Sequence, residues 1–370
     1  MRYIFFVFLS IITAVVIWSF CLNNSQHISA NNTQIHYNGR IDFSDSLQPS
    51  FYYPGTEITI LFSGTSCTIK LGQESFGDID EYGNPHTNFY TVLLDGKHTI
   101  IKAKEGLNSY QVGKQLKDTI HTLQIWKRTE AICGRGYFGG ITIDKSAKLF
   151  PVRVPKRKIE FIGNSITCGY GLDGDNKDCK FSAATENNYL TYGAIVARKL
   201  DAEYRAVAYS GKGIFQNFGG GREDVMPDLY QRQNPLDEYS QWNLKSWIPD
   251  LVVINLGTND FAHEVPDSAG FVKNYAGLLR TIQGNYPDAK IVCLISQMLS
   301  DHWPVGVNAR TNCKKFIEAA ISELNSKNIY VTELSAQGDN GYGCDYHPNK
   351  KQNEINGAEL TTFIMEEVVK

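Results

Sequence analysis

Between about residues 35 and 143 the apolar positions come in short runs that suit strands. Glu57–Phe62, Phe89–Leu94 and His121–Trp126 are rich in β-branched and aromatic residues. Turn signals at Pro54-Gly55, Gly83-Asn84-Pro85 and Asp95-Gly96 separate them. Asp95-Gly96, set between Leu94 and Lys97, predicts a tight hairpin, because glycine accepts the positive φ that such a turn requires. Many short strands without a helical period predict a β-sandwich over residues 31–150. The segment Lys145 to Lys158, with Pro151, Pro155 and several basic residues, reads as a linker. Beyond it the period changes. Strand patterns at Ile159–Ile162, Tyr204–Tyr209, Leu251–Leu256, Lys290–Ile295 and Ile329–Thr332 alternate with helical ones at Leu190–Leu200, Phe271–Ile282, Arg310–Leu324 and Gly357–Val369. This alternation predicts an α/β domain over residues 151–370, a parallel sheet covered on both faces. Ligands of such sheets bind at the carboxyl ends of the strands.

The amino terminus adds an address. Tyr3 to Cys21 carries no charged side chain and follows Arg2, the pattern of an export signal. The run also approaches the length of about 20 residues that spans a bilayer, so an uncleaved anchor is the alternative, with lipidation of Cys21 as a third. Each places the rest of the chain outside the cytoplasm: secreted, periplasmic or anchored at the cell surface. Leu22 to Thr33, rich in Asn and Ser, reads as a flexible spacer.

Composition narrows the partners. With 36 Lys and Arg against 39 Asp and Glu, the net charge of -3 gives no electrostatic case for nucleic acid. A membrane is expected to matter only through the amino-terminal anchor or a lipid, and the protein is expected to act as a monomer. The eight cysteines form no CxxC and no zinc-ligand spacing. In an oxidising compartment Cys168 and Cys179 can close the loop after Ser165, with two free thiols as the alternative.

Chemistry-bearing residues follow the predicted strands. Ser165 ends the run Ile159–Ser165, Ser210-Gly211-Lys212-Gly213 follows the second strand, and Gly257-Thr258-Asn259-Asp260 follows the third. Asp345-Tyr346-His347-Pro348 comes after the fifth. Ser165 is the candidate nucleophile, and a serine hydroxyl needs a base to become reactive. His347 suits that role, because neutral imidazole can take a hydroxyl proton and return it. Asp345 is expected to curl back onto the other ring nitrogen. The amide N–H groups of Ser165 and Gly211 and the Asn259 side chain are candidate oxyanion donors, each worth about 3 kcal/mol in the transition state. The acidic loop at Asp173, Asp175 and Asp178 lacks the glycine and the distal glutamate of a calcium loop. His263-Glu264 lacks the second histidine of a zinc helix, and no Gly-x-Ser-x-Gly elbow occurs. Trp303, shortly after the fourth strand, reads either as a sugar-stacking platform at the cleft or as core or rim packing.

Together, Gly163-Asn164-Ser165-Ile166-Thr167, Ser210–Gly213, Gly257–Asp260 and Asp345–Pro348 resemble the four signature blocks of the SGNH (GDSL-type) hydrolases. The amino-terminal Gly55-Thr56, Lys127-Arg128-Thr129-Glu130 and Phe138-Gly139-Gly140 resemble carbohydrate esterase family 2. That resemblance implies a jelly-roll-like sandwich joined to a three-layer SGNH domain. It implies an acetylxylan-esterase-type serine enzyme with no cofactor and no metal, acting on acetylated polysaccharides or oligosaccharides. A lipase or thioesterase of the same superfamily is the alternative. It makes Ser165 the nucleophile, His347 the base, and Gly211 and Asn259 the completing oxyanion donors. SGNH enzymes usually place two residues between acid and histidine, and here one residue separates Asp345 from His347. The shorter spacing agrees with the narrower family, some of whose members work with a dyad.

Overall fold

The computed structural model describes residues 24–74, 83 and 85–369. The expected export signal or anchor at Tyr3–Cys21, the lipidation site at Cys21 and Asn84 of one expected turn lie outside the described residues. Among the described residues no helix is long and apolar enough to cross a membrane.

The amino-terminal half folds as two packed antiparallel sheets. One runs in the order Ile41–Asp42, Ser50–Phe51, Gly136–Asp144, Cys67–Gln73 and Gly106–Gly113. The other runs Leu149–Phe150, Glu57–Gly64, Thr119–Lys127, Phe89–Leu94 and Lys97–Lys102. Alternate residues of the two sheets meet in one core, Ile58, Ile60, Phe62, Leu123 and Ile125 facing Ile69, Leu71, Phe138, Ile141 and Ile143. The Asp95-Gly96 hairpin forms as expected, with Leu94 opposite Lys97 and both turn residues at positive φ, 51° and 79°.

Two stretches expected to lack structure are strands. Ser25–Ile28, inside the expected spacer, pairs antiparallel with Gly136–Asp144. Its Gln26 side chain donates to the carbonyls of Asp144, Lys145 and Ala147. Apart from Ile28, which packs on the sandwich core, hydrogen bonds hold this edge, so its composition conceals it. Likewise Leu149–Phe150, inside the expected linker, pairs with Glu57–Gly64.

The carboxy-terminal half is a five-stranded parallel sheet. In chain order its strands are β1 (Arg157–Gly163), β2 (Ala202–Ala208), β3 (Leu251–Asn255), β4 (Lys290–Ile295) and β5 (Ile329–Glu333). In space they run β2-β1-β3-β4-β5. Its helices are α1 (Ser165–Cys168), α2 (Tyr192–Lys199), α3 (Met226–Leu229), α4 (Ser268–Asn285), α5 (Ala309–Ser322) and α6 (Lys350–Phe363). One face of the sheet, including Ile162, Ile254, Ile291 and Cys293, packs on Phe271, Leu278 and Ile282 of α4 and Ile317 of α5. The opposite face, with Ile159, Phe161, Val253 and Leu294, packs on Tyr192 and Val196 of α2 and Leu360 of α6. These are the three layers, and each fully buried aliphatic or aromatic side chain stabilises them by about 1.5–3 kcal/mol.

Helix α6 begins seven residues before the expected Gly357. Asn349 caps it by accepting from the Gln352 amide at 3.0 Å. Its first turns bury Gln352, Asn353 and Asn356. The Asn353 side chain accepts from the Tyr192 amide at 2.9 Å and donates to the Pro348 carbonyl at 3.0 Å. A polar buried face leaves no apolar period to read.

Candidate active site

Strand β1 lies between β2 and β3, and Gly163 pairs with Ala208 on one side and Asn255 on the other. The three loops carrying Ser165, Gly211 and Asn259 therefore leave the sheet side by side. Asn164 sits just beyond β1 and caps α1, its side chain accepting from the Ile166 amide at 3.2 Å. Ser165 thus occupies the first turn of a helix, where its own N–H has no intrahelical acceptor.

His347 meets it from the far end of the domain. Ser165 Oγ lies 2.8 Å from His347 Nε2. His347 Nδ1 lies 3.1 Å from each of the backbone carbonyl oxygens of Cys344 and Asp345. Two acceptors require a proton on Nδ1, which leaves Nε2 to accept the serine hydroxyl proton. The ring also stacks on Tyr170, with centroids 4.1 Å apart and planes inclined by 23°. Desolvation by this packing holds the imidazole down at about 4, against the upward pull of the two carbonyls and the Asp345 charge. The base is therefore neutral, and competent, throughout the neutral range.

The expected role of Asp345 as the side-chain partner of that imidazole is not what the structure shows. Its carboxylate accepts from the Tyr170 hydroxyl at 2.6 Å and the Lys180 ammonium at 2.8 Å. Those donors overcome its partial desolvation and hold its carboxyl below the usual carboxylate range. The physical reason is the backbone. Asp345 and Tyr346 are successive left-handed residues, with φ of 50° and 60°. In this turn the carbonyls, rather than the carboxylate, reach the ring. The Asp345 carboxylate acts on His347 through its charge and through the Tyr170 ring it holds, while its backbone carbonyl makes the direct hydrogen bond.

The cysteine pairing also differs from the expected Cys168–Cys179 bridge. Cys179 bonds Cys344, and Cys168 is a free buried thiol in α1. The bridge closes over a contact already built from the backbone, where the Cys344 amide donates to the Gly171 carbonyl at 3.0 Å and the Asp345 amide to the Cys179 carbonyl at 2.8 Å. It ties the loop downstream of the nucleophile to the loop that carries the base.

On the opposite side, Gly211 has φ of 76°, and a Cβ built there meets nothing within 4 Å. The absence of a side chain leaves that flank of the loop open for a ligand to approach the backbone. Asn259 donates one side-chain N–H to the Lys212 carbonyl at 2.7 Å, which fixes the amide plane and leaves a second N–H for a ligand. Asp260, the next residue, accepts from the amides of Ile214, Phe215 and Gln216 at 2.7–3.0 Å and so binds the two loops together. Gly213 permits this approach, since a Cβ there would lie 2.6 Å from the Asp260 carboxylate. Burial pushes the Asp260 carboxyl up to about 6, opposed by those same amides.

Trp303 lies on the loop after β4, at the same end of the sheet, with 72% of its surface exposed. The core-packing reading is excluded by that exposure. Tyr170, Asp260 and Cys344 were not singled out from the sequence as parts of the site. Tyr170 carried a faint signal, lying five residues beyond Ser165 in the same glycine-rich stretch.

Residues 37–152 match the family described as "Carbohydrate esterase 2 N-terminal", and residues 161–355 match the "GDSL-like Lipase/Acylhydrolase family". A cellulase/esterase, CelE, of Acetivibrio thermocellus is 35% identical over 92% of this chain, and the chain spans 40% of that longer protein. An acetylxylan esterase / glucomannan deacetylase of Cellvibrio japonicus is 28% identical, over 92% of this chain and 90% of its own length. Among solved structures, a family two carbohydrate esterase from Clostridium thermocellum in complex with cellohexaose superposes with a TM-score of 0.82 at 32% identity. That match covers 90% of this chain and 98% of the other. With the same two-part architecture, and a serine and a histidine in contact where the sheet predicts them, the chain belongs to the GDSL-like lipase/acylhydrolases and, within them, to the family two carbohydrate esterases.

Proposed function

We propose that the protein is a serine carbohydrate esterase that removes O-acetyl groups from polysaccharides such as acetylxylan, or from oligosaccharides derived from them. The contact that carries this reading is Ser165 Oγ to His347 Nε2 at 2.8 Å, with Nδ1 already committed to two carbonyls. Ser165 Oγ attacks the acetyl carbonyl carbon while its proton passes to His347 Nε2. The carbonyl oxygen becomes an oxyanion facing the N–H groups of Ser165, Gly211 and Asn259. Collapse of this intermediate breaks the bond to the sugar oxygen, which leaves with the proton from His347. Water then gives a proton to His347 and attacks the acetyl-enzyme, and acetate departs as Ser165 recovers its hydrogen. The imidazolium that forms is stabilised by two carbonyl dipoles and, at longer range, by the Asp345 carboxylate. Export through the Tyr3–Cys21 segment and action as a monomer complete the proposal.

Measuring acetate release from acetylated xylan and defined acetylated glycosides tests it. Ser165→Ala is expected to lower turnover by on the order of 10⁶-fold. Near-normal turnover in that variant would overturn the assignment, and faster cleavage of long-chain acyl esters by the unaltered protein would favour the lipase or thioesterase alternative.

A further inference from the structure

The Lys127–Glu130 turn of the sandwich reaches into the other domain directly beneath the oxyanion loop. Lys127, Thr129, Glu130 and Glu186 have no exposed surface. The Lys127 ammonium donates to the carbonyls of Thr129 and Glu130 at 2.5 and 3.1 Å, so the turn is wrapped around its own cation. The sandwich anchors the turn further, because the Lys127 amide donates to the Thr56 carbonyl and the Arg128 amide to that of Phe89, both at 2.9 Å. From this mount the Glu130 carboxylate grips Ser210 twice. Oε2 accepts the Ser210 amide at 2.7 Å, and Oε1 accepts the Ser210 hydroxyl in a short hydrogen bond. Ser210 immediately precedes Gly211.

Glu186 backs this grip. Its Oε2 accepts the Glu130 amide at 3.1 Å, and its Oε1 has no partner among the described residues. Burial and the neighbouring Glu130 charge push the Glu186 carboxyl well above the usual range, while burial raises the Glu130 carboxyl against the downward pull of its two Ser210 hydrogen bonds and the Lys127 charge. Glu130, Cys168 and Glu186 place one ligand-type atom each within 4.8 Å of one another. The Lys127 ammonium already supplies the positive charge in this cluster.

We propose that Glu130, a residue of the sandwich, is the positioning residue of the oxyanion hole. By holding both the amide and the hydroxyl of Ser210 it fixes the residue whose carbonyl forms the next peptide with the Gly211 nitrogen, and so aims the Gly211 N–H at the developing oxyanion. The sandwich thereby contributes to the reaction itself. This assignment rests on the esterase reading above. It predicts a loss confined to the transition state, because a tilted donor weakens the oxyanion far more than the bound ester.

The test uses the full chain with 4-nitrophenyl acetate, which reports the acyl-transfer machinery without needing the right sugar, and in parallel with an acetylated xylooligosaccharide. Glu130→Gln and Ser210→Ala are compared, the second removing only the hydroxyl half of the grip and sparing the buried carboxylate. Both are expected to lower kcat with KM within twofold, Ser210→Ala by about tenfold and Glu130→Gln by up to about 100-fold. In an Asn259→Ala background, where the hole is already impaired, the loss from Ser210→Ala is expected to shrink. Unchanged kcat in both variants, a rise in KM alone, or a fall in melting temperature without a fall in kcat overturns the proposal. Wild-type activity on the aryl ester but not on the sugar ester refutes the substrate assignment and leaves the positioning test intact. No activity on either overturns both.

Discussion

The two sides of Ser165 are secured in different ways. The histidine side is a loop returning from the far edge of the sheet, held by the Cys179–Cys344 bond, by backbone hydrogen bonds to residues 171–179 and by the Tyr170 ring. The oxyanion side is the first residues of two loops from strands adjoining β1, held by buried carboxylates, Asp260 within the domain and Glu130 from the sandwich. A loop that leaves the sheet remote from its target has a large conformational freedom to lose, and a covalent link removes much of it from the unfolded chain. Loops that emerge beside their target need only orientation, which charge-assisted hydrogen bonds supply. Reach is solved by a bond and aim by carboxylates.

Breaking the aim is expected to have the larger catalytic effect. Asn259→Ala removes a donor from the oxyanion side and should lower kcat by about 10²–10³-fold with little change in KM, as steady-state kinetics on an acetyl ester would show. Breaking the reach should appear as stability first. A Cys179→Ser, Cys344→Ser double variant is expected to lose about 2–4 kcal/mol in chemical unfolding. Its activity should fall by less than that of Asn259→Ala, because the carbonyls of Cys344 and Asp345 can still meet Nδ1 once folded. A reductant should reproduce the effect in the native protein, and full insensitivity would show that the bridge does not secure the loop.

The smallest effect is expected at Asp345. Were its carboxylate the orienting acid, Asp345→Asn would cost about 10⁴-fold in kcat. With carbonyls in that place, the loss should stay below about tenfold. The pH profile sharpens the distinction. The acid limb of kcat/KM should lie near the His347 value of about 4. The Asp345 charge raises that value, so removing it should move the limb to lower pH and leave activity at neutral pH almost unchanged. A collapse of activity at all pH values would restore the side-chain triad, and a limb that does not move to lower pH would show that the Asp345 charge does not reach the ring.

Much of the catalytic half was legible because its elements carry a clean period. The five strands of the parallel sheet lie within two residues of their expected ends, most clearly β3 and β4, which are apolar and buried almost throughout. Elements held by polar contacts were not legible. Ser25–Ile28 is secured by Gln26, and the start of α6 by Asn349 and Asn353, none of which adds to a hydrophobic pattern. The same limit applies at the site. Ser165 and His347 stand out through residue type and position after a strand, whereas Tyr170 and Glu130 act through geometry that no spacing encodes.

The sequence by itself determined that a parallel sheet would present a serine, a glycine and an asparagine at the carboxyl ends of its strands, with a histidine to follow. The hydrophobic period and the place of each residue after a strand dictate that much, and the structure supplies the adjacency of the three strands. Only the tertiary structure decided what holds the histidine and which cysteines pair. Two left-handed residues turn the Asp345 carboxylate away from the ring and bring carbonyls to it, and Cys344 comes against Cys179 across 165 residues of sequence. Such outcomes depend on backbone direction at a few positions and on contacts between distant segments, and neither leaves a periodic trace in the chain.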